Sequence, residues 1–185
     1  MRAYIKYLYT KITSPYRNVN FRYSIVFPGK TIPFNLENTH KDEVFHAKQL
    51  LATKVDLNVF NDALESFVKL SKQHKFIPVV TYTPSAHTVY ASYVIFDDPR
   101  LKDTMKRFSD LQREFFKIKG KETSYIFIDL TPSLQSAASS GKSQNLLYYR
   151  TNLHLTRYGH EIIAETISES IKNLGFLIKS GEISR

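Results

Sequence analysis

Two short apolar runs, Phe76-Ile-Pro-Val-Val-Thr-Tyr and Ser124-Tyr-Ile-Phe-Ile-Asp-Leu, each follow a stretch of helical periodicity, and each leads into a Thr-Pro pair. Runs of this length, rich in β-branched and aromatic residues and bounded by turn residues, read as strands buried on both faces, as in a parallel sheet. Parallel strands cannot be joined by a hairpin and need a crossover, which the intervening segment supplies. There Asp98-Pro99 offers an N-cap and a proline at the first helical position. Leu101, Met105, Phe108, Leu111, Phe115 and Ile118 then carry one apolar face up to Gly120. The chain is thereby held to an α/β layer, whose ligand sites lie beyond the carboxyl ends of the strands, here Tyr82-Thr83-Pro84 and Asp129-Leu130-Thr131.

Helices are also predicted from Asp42 to Lys54, on Val44, Ala47, Leu50 and Leu51, and from Asn58 to His74, on Phe60, Leu64, Phe67, Val68 and Leu70. Thr131-Pro132 repeats the cap-and-proline start for a short helix, and Ser136 to Ser143, small and polar, reads as a surface loop. A last helix enters near Gly159 with Ile162, Ile163, Ile167, Ile171 and Leu174 on its core face. Near the amino terminus, Phe21 to Phe27, Pro28-Gly29 and Thr31 to Phe34 read as a hairpin or an extended excursion. Two parallel strands leave an edge open to aggregation, so further strands are expected on the amino-terminal side of this layer.

At 185 residues and 42% hydrophobic content the chain supports one sizeable core, and 14% aromatic residues exclude a disordered chain. The net charge of +9 raises the question of nucleic acid. The basic residues of the acid-free start, from Arg2 to Lys30, are spread singly, however, and later ones alternate with acids, as in Lys102, Asp103, Lys106, Arg107 and Asp110. That is a solvated surface, and no nucleic-acid partner is expected. The absence of cysteine removes disulfides and thiolate metal sites. No apolar run reaches the ~20 residues of a membrane span. The first residues lack the apolar core of a secretion signal, so a soluble, unexported chain is expected.

The chemistry points to Tyr149–Glu165, a strand-loop-helix junction that carries His154 in its irregular part. A loop histidine with an ordinary pKa near ~6.5 suits general-base work on a serine hydroxyl, although most such histidines are structural or solvated. Ser85, in Thr-Pro-Ser-Ala, has no glycine for a nucleophile elbow and reads as a turn or cap residue. His87 and Tyr90 follow it as plain loop positions, with lining of a cleft beside His154 as the rival role, and Asp129 reads as a capping or loop hydrogen-bonding residue with orientation of a histidine as the rival role. His160 is six residues beyond His154, which is not the i, i+4 spacing of a zinc pair; His40, His46 and His74 are isolated. No metal or cofactor is expected.

Tyr148-Tyr149-Arg150-Thr151-Asn152-Leu153-His154-Leu155-Thr156, followed by Gly159-His160 and an apolar helix, resembles the histidine block of SGNH (GDSL-type) hydrolases. In that block an Asp-any-His leads to a Gly-His that opens the last helix. The junctions Val79 to Ala86 and Phe127 to Pro132 resemble the family's later strand ends, so the likeness runs from about Ile32 to Leu174. It implies a flavodoxin-like three-layer α/β/α sandwich with a parallel sheet, here lacking its amino-terminal strands, as one incomplete domain over residues 1–185. It also implies that His154 is the general base and that Asn152 occupies the position of the orienting aspartate.

The departures from the family pattern shape the expected function. An amide does not stabilise an imidazolium as a carboxylate does, and the equivalent change in a serine-protease triad costs about 10⁴ in rate. Neither a Gly-Asp-Ser-like block nor a Gly-any-Ser-any-Gly elbow is present, and the oxyanion donors of the family are not legible. The expectation is an ester hydrolase-like chain for acyl or acetyl esters, inactive alone, with the nucleophile on a separate upstream half. The alternative is a non-catalytic α/β binding module derived from the same fold. The resemblance points to a bacterial envelope or periplasmic setting, which the chain's own residues leave open.

Overall fold

The computed structural model describes residues 23–34, 39–54, 56–140, 145–150 and 154–180. Tyr23, Ile25 and Phe27 alternate with more exposed Ser24 and Val26 to form β1 (Tyr23–Phe27), which turns at Pro28-Gly29 into β2 (Lys30–Phe34). Gly29 has φ +74°, a conformation that a side chain resists. Of the two readings of this segment, hairpin or extended excursion, the hairpin is the one formed, pairing Ile25 with Ile32 and Tyr23 with Phe34. Helix α1 (Thr39–Leu51) buries Val44, Ala47 and Leu50, as its periodicity requires.

After a 3-10 turn at Leu57–Phe60 comes α2 (Asn61–His74), which buries Leu64 and Val68. Phe60, expected on that helix's core face, instead belongs to the turn and is 44% exposed. Then follow β3 (Val79–Tyr82), the single-turn α3 (Ala86–Val89), β4 (Val94–Phe96), the long α4 (Arg100–Thr123) and β5 (Ile126–Asp129). The chain continues through α5 (Thr131–Ser139) and α6 (Arg157–Ser180). Ser136 to Ser139 thus extend a helix rather than a loop, because Leu134 is fully buried and draws the whole turn onto the core.

Two sheets result. β4 joins β1 antiparallel, giving the order β2-β1-β4, which the sequence does not announce because three residues are too few for a periodicity. β3 and β5 pair in parallel, Val79 opposite Ile126 and Tyr82 opposite Asp129, with α4 in the crossover as expected. Val79, Ile126 and Ile128 join the main core with Ile162, Ile163 and Ile167 of α6. Val80, Tyr125 and Phe127 join Leu64 and Val68 of α2 and Phe115 and Phe116 of α4 in a second cluster. Helices therefore lie on both faces of a two-stranded parallel sheet.

That sheet is less buried than its sequence implies. Phe76 and Ile77 precede the strand rather than join it, and Ile77 is 53% exposed. Within β3, Thr81 faces solvent. Ile126 N–H donates to the Pro78 carbonyl at 2.9 Å and Leu130 N–H to the Tyr82 carbonyl at 3.1 Å. Since backbone groups alternate sides along a strand, those of Val79 and Thr81 on β3, and of Phe127 and Asp129 on β5, point away from the shared ladder. Among the described residues no third strand pairs with either edge. The same shortage of cover leaves Leu111 and Ile118 of α4, Leu70 of α2 and Ile171 of α6 exposed, although periodicity assigns all four to core faces.

Candidate functional site

Leu146-Leu147-Tyr148 and Leu155-Thr156 form a clamp that holds the start of α6. Tyr148 and Leu155 make an antiparallel bridge, flanked by Tyr149 N–H to His154 O and Thr156 N–H to Leu147 O, both at 2.9 Å. The Thr156 hydroxyl donates to the Leu146 carbonyl at 2.5 Å and accepts from Gly159 N–H at 3.2 Å, so it caps the helix. A Cβ on Gly159 would overlap the Leu147 carbonyl oxygen and come within 2.8 Å of Leu155 Cδ2. The Gly-His step thus has a packing cause: the helix can approach the clamp only without a side chain there.

This clamp is bolted to the end of β3. The Tyr148 hydroxyl donates to the Pro84 carbonyl at 2.6 Å, and Leu147 N–H donates to the Tyr90 hydroxyl at 2.8 Å. Burial pushes the phenols of both tyrosines up from their ordinary value. In an antiparallel pair, side chains alternate faces. Tyr148 accordingly points into the core, whereas Tyr149 and His154, directly opposite one another, project outward and are exposed. His154 therefore stands exposed on a backbone held by this bridge, and Tyr148 ties the bridge to Pro84, two residues beyond β3. Asn152 lies outside the described residues.

A second group of polar side chains gathers at the same strand end. Ser85 begins α3, but its hydroxyl does not cap that helix; it donates to Glu43 Oε1 of α1. His87 Nε2 meets the same oxygen at 3.1 Å, and its Nδ1 lies 3.4 Å from the Thr88 hydroxyl. His87 is buried with Tyr23 and Phe96 packed around its ring, and Tyr90 is buried as well. Both were expected as plain loop positions, with a cleft beside His154 as the alternative; the short helix turns them inward because Ala86, Val89 and Tyr90 seal the core at this corner. Glu43 is the partner that sequence reasoning missed. Its one signal is a carboxylate beside the buried Val44 on an amphipathic helix, which does not name what it meets.

At the end of β5, Asp129 makes a loop hydrogen bond: its Oδ1 accepts from Thr131 N–H at 2.9 Å, while the N-cap position falls on Leu130 and Thr131, the residue expected to cap, is buried. The other oxygen of Asp129 accepts from Arg113 Nε at 2.8 Å and Arg113 Nη2 at 2.6 Å. Asp129 is thus paired with an arginine rather than with a histidine. Tyr82 and Ser109 hydroxyls lie 3.2 Å apart between these two ends. His46, His74 and His160 are exposed, and among the described residues no His, Asp and Glu cluster is disposed to hold a metal ion. No helix among them is long and apolar enough to cross a membrane. Comparisons with protein-family models, with curated proteins and with solved structures return no match. The likeness of the His154 block therefore rests on its own residues.

Proposed function

We propose that this chain is the carboxyl-terminal part of an SGNH-type ester hydrolase, and that it contributes the general base His154 to a serine carried by another polypeptide segment. The observation that carries the reading is the exposed His154 on a pinned backbone, tied through Tyr148 and Pro84 to the carboxyl end of β3, where an α/β layer binds its ligands. In the proposed reaction, His154 takes the proton of the serine hydroxyl as that oxygen attacks the ester carbonyl. It then returns the proton to the departing alcohol. By the resemblance, the family's orienting position falls on Asn152, and an amide supports an imidazolium less well than an aspartate would.

The same reading makes the isolated chain silent. Ser85 gives its hydroxyl proton to Glu43, and the ring that meets that carboxylate, His87, bonds Glu43 Oε1 rather than the serine oxygen. A base without an activated nucleophile has nothing to deprotonate. The purified chain is expected to hydrolyse a p-nitrophenyl ester no faster than its His154→Ala variant. Joined with a Gly-Asp-Ser-bearing polypeptide encoded upstream, it is expected to gain hydrolysis that His154→Ala removes and that Asn152→Asp raises. Hydrolysis by the combined chains that survives His154→Ala overturns the role of the histidine. Failure to find such a polypeptide leaves the α/β binding module as the reading.

A further inference from the structure

Beside the clamp is an open cavity of about 620 Å³, lined among others by Asn145, Tyr148, Tyr149, Arg150, Arg157 and Glu161. Its size is that of a small-molecule site, roughly 300–1,000 Å³. Two of its charges cancel, because Arg157 Nε donates to Glu161 Oε1 at 2.8 Å. Arg150 makes no hydrogen bond or ion pair among the described residues, so the cavity retains one uncompensated guanidinium. It follows directly on Tyr149, whose ring is 51% exposed and lies across the bridge from His154. The backbone carrying Tyr149 is fixed by the 2.9 Å bond to His154 and by the Tyr148 hydroxyl on Pro84. The cation and the aromatic wall therefore sit on a preorganised edge.

We infer that this cavity recognises an organic carboxylate, and that the ester handled at His154 carries a carboxylate group. The inference rests on the proposed hydrolase reading for the word ester, and on the cavity alone for the anion. A guanidinium presents a planar fork that matches a carboxylate in two parallel hydrogen bonds. The tyrosine faces supply an apolar wall that a carbon skeleton fills and an inorganic anion does not, which favours an organic acid over free phosphate.

The test is binding, which needs no turnover. The full chain, labelled with ¹⁵N, is titrated with monomethyl succinate, with the uncharged dimethyl succinate and with inorganic phosphate. Monomethyl succinate is expected to move the amide signals of Tyr149, Arg150 and Tyr158, with the diester and phosphate binding more weakly by about tenfold or more, the scale of a lost charge-assisted pair. Arg150→Gln is expected to reduce affinity for the monoester by a similar factor, whereas Arg107→Gln, exposed on α4 and outside the cavity lining, leaves it unchanged. Equal binding of the diester, preference for phosphate, shifts that survive Arg150→Gln, or no shifts at these residues each overturn the inference. Specific binding that persists while the chain joined with the upstream Gly-Asp-Ser-bearing polypeptide shows no His154-dependent hydrolysis keeps the anion site and removes the hydrolase reading, so the two failures are separable.

Discussion

The replacement of Glu43 by alanine tests the corner on which α1, β3 and α3 meet. One carboxylate oxygen accepts from Ser85 and meets His87 Nε2 at 3.1 Å. The His87 side chain is 3% exposed and that of Glu43 21%, so the pair is shielded from solvent without being sealed. A hydrogen bond to a charged group contributes ~1.5–3 kcal/mol, and the part-exposed Ser85 hydroxyl adds about 0.5–1 kcal/mol once water replaces its acceptor. Glu43→Ala is therefore expected to cost about 2–4 kcal/mol in urea-unfolding free energy, or ~5–15 °C in Tm for a chain of this size. Glu43→Gln, whose amide oxygen still accepts one proton, should fall between. The helix itself should persist, because Val44, Ala47 and Leu50 remain buried. The control is Glu114→Ala, which breaks an exposed 3.8 Å pair with Lys117 and is expected to change stability by less than about 0.5 kcal/mol. A double-mutant cycle with His87→Phe isolates the shared interaction. If Glu43→Ala costs no more than the control, or if the two changes at Glu43 and His87 simply add, the assigned role of this pair is refuted.

Further outcomes follow from the same contacts. Gly159→Ala forces a methyl group into the Leu147 carbonyl and is expected to destabilise the chain by about 2 kcal/mol or more, while the ¹H-¹⁵N signals of Tyr149 and His154 shift; a neutral effect would show that the clamp yields. At high pH the buried phenols of Tyr23, Tyr82, Tyr90 and Tyr148, all raised chiefly by desolvation above an ordinary 10.0, ionise later folded than unfolded. Their neutral forms favour the native state, so this stability is intact below pH ~10 and is lost as pH rises toward the folded values. The share of the phenolate absorbance that belongs to these four of the twelve tyrosines should therefore rise only with unfolding, and complete titration of all twelve well before unfolding would contradict the burial. On β3, hydrogen exchange should be fast at the Val79 and Thr81 amides and slow at Val80 and Tyr82. Thr81→Lys should reduce self-association measured by light scattering, since a charge blunts an open edge. Equal protection along the strand would mean that the edge is covered.

The sequence by itself determined the elements that depend on near neighbours. The crossover helix, the parallel character of the runs at Val79 and Ile126 and the helix opening near Gly159 all follow from periodicity and turn chemistry within a few residues, while at Pro28-Gly29 the same signals left a hairpin and an extended excursion both open. His154 was legible as a loop-borne histidine for the same reason, whereas its outward direction came only from the bridge between Tyr148 and Leu155. The tertiary structure alone decided which side chains meet. Glu43 reaches Ser85 and His87 across 42 and 44 residues, and Tyr148 reaches Pro84 across 64. No local pattern encodes such encounters, because each depends on how three or more elements pack. Burial of β3 was overestimated for a related reason. An apolar run reports a strand's capacity to be covered, whereas Thr81, Ile77, Leu111 and Ile118 show that cover is supplied by neighbours, and on this sheet there are too few of them.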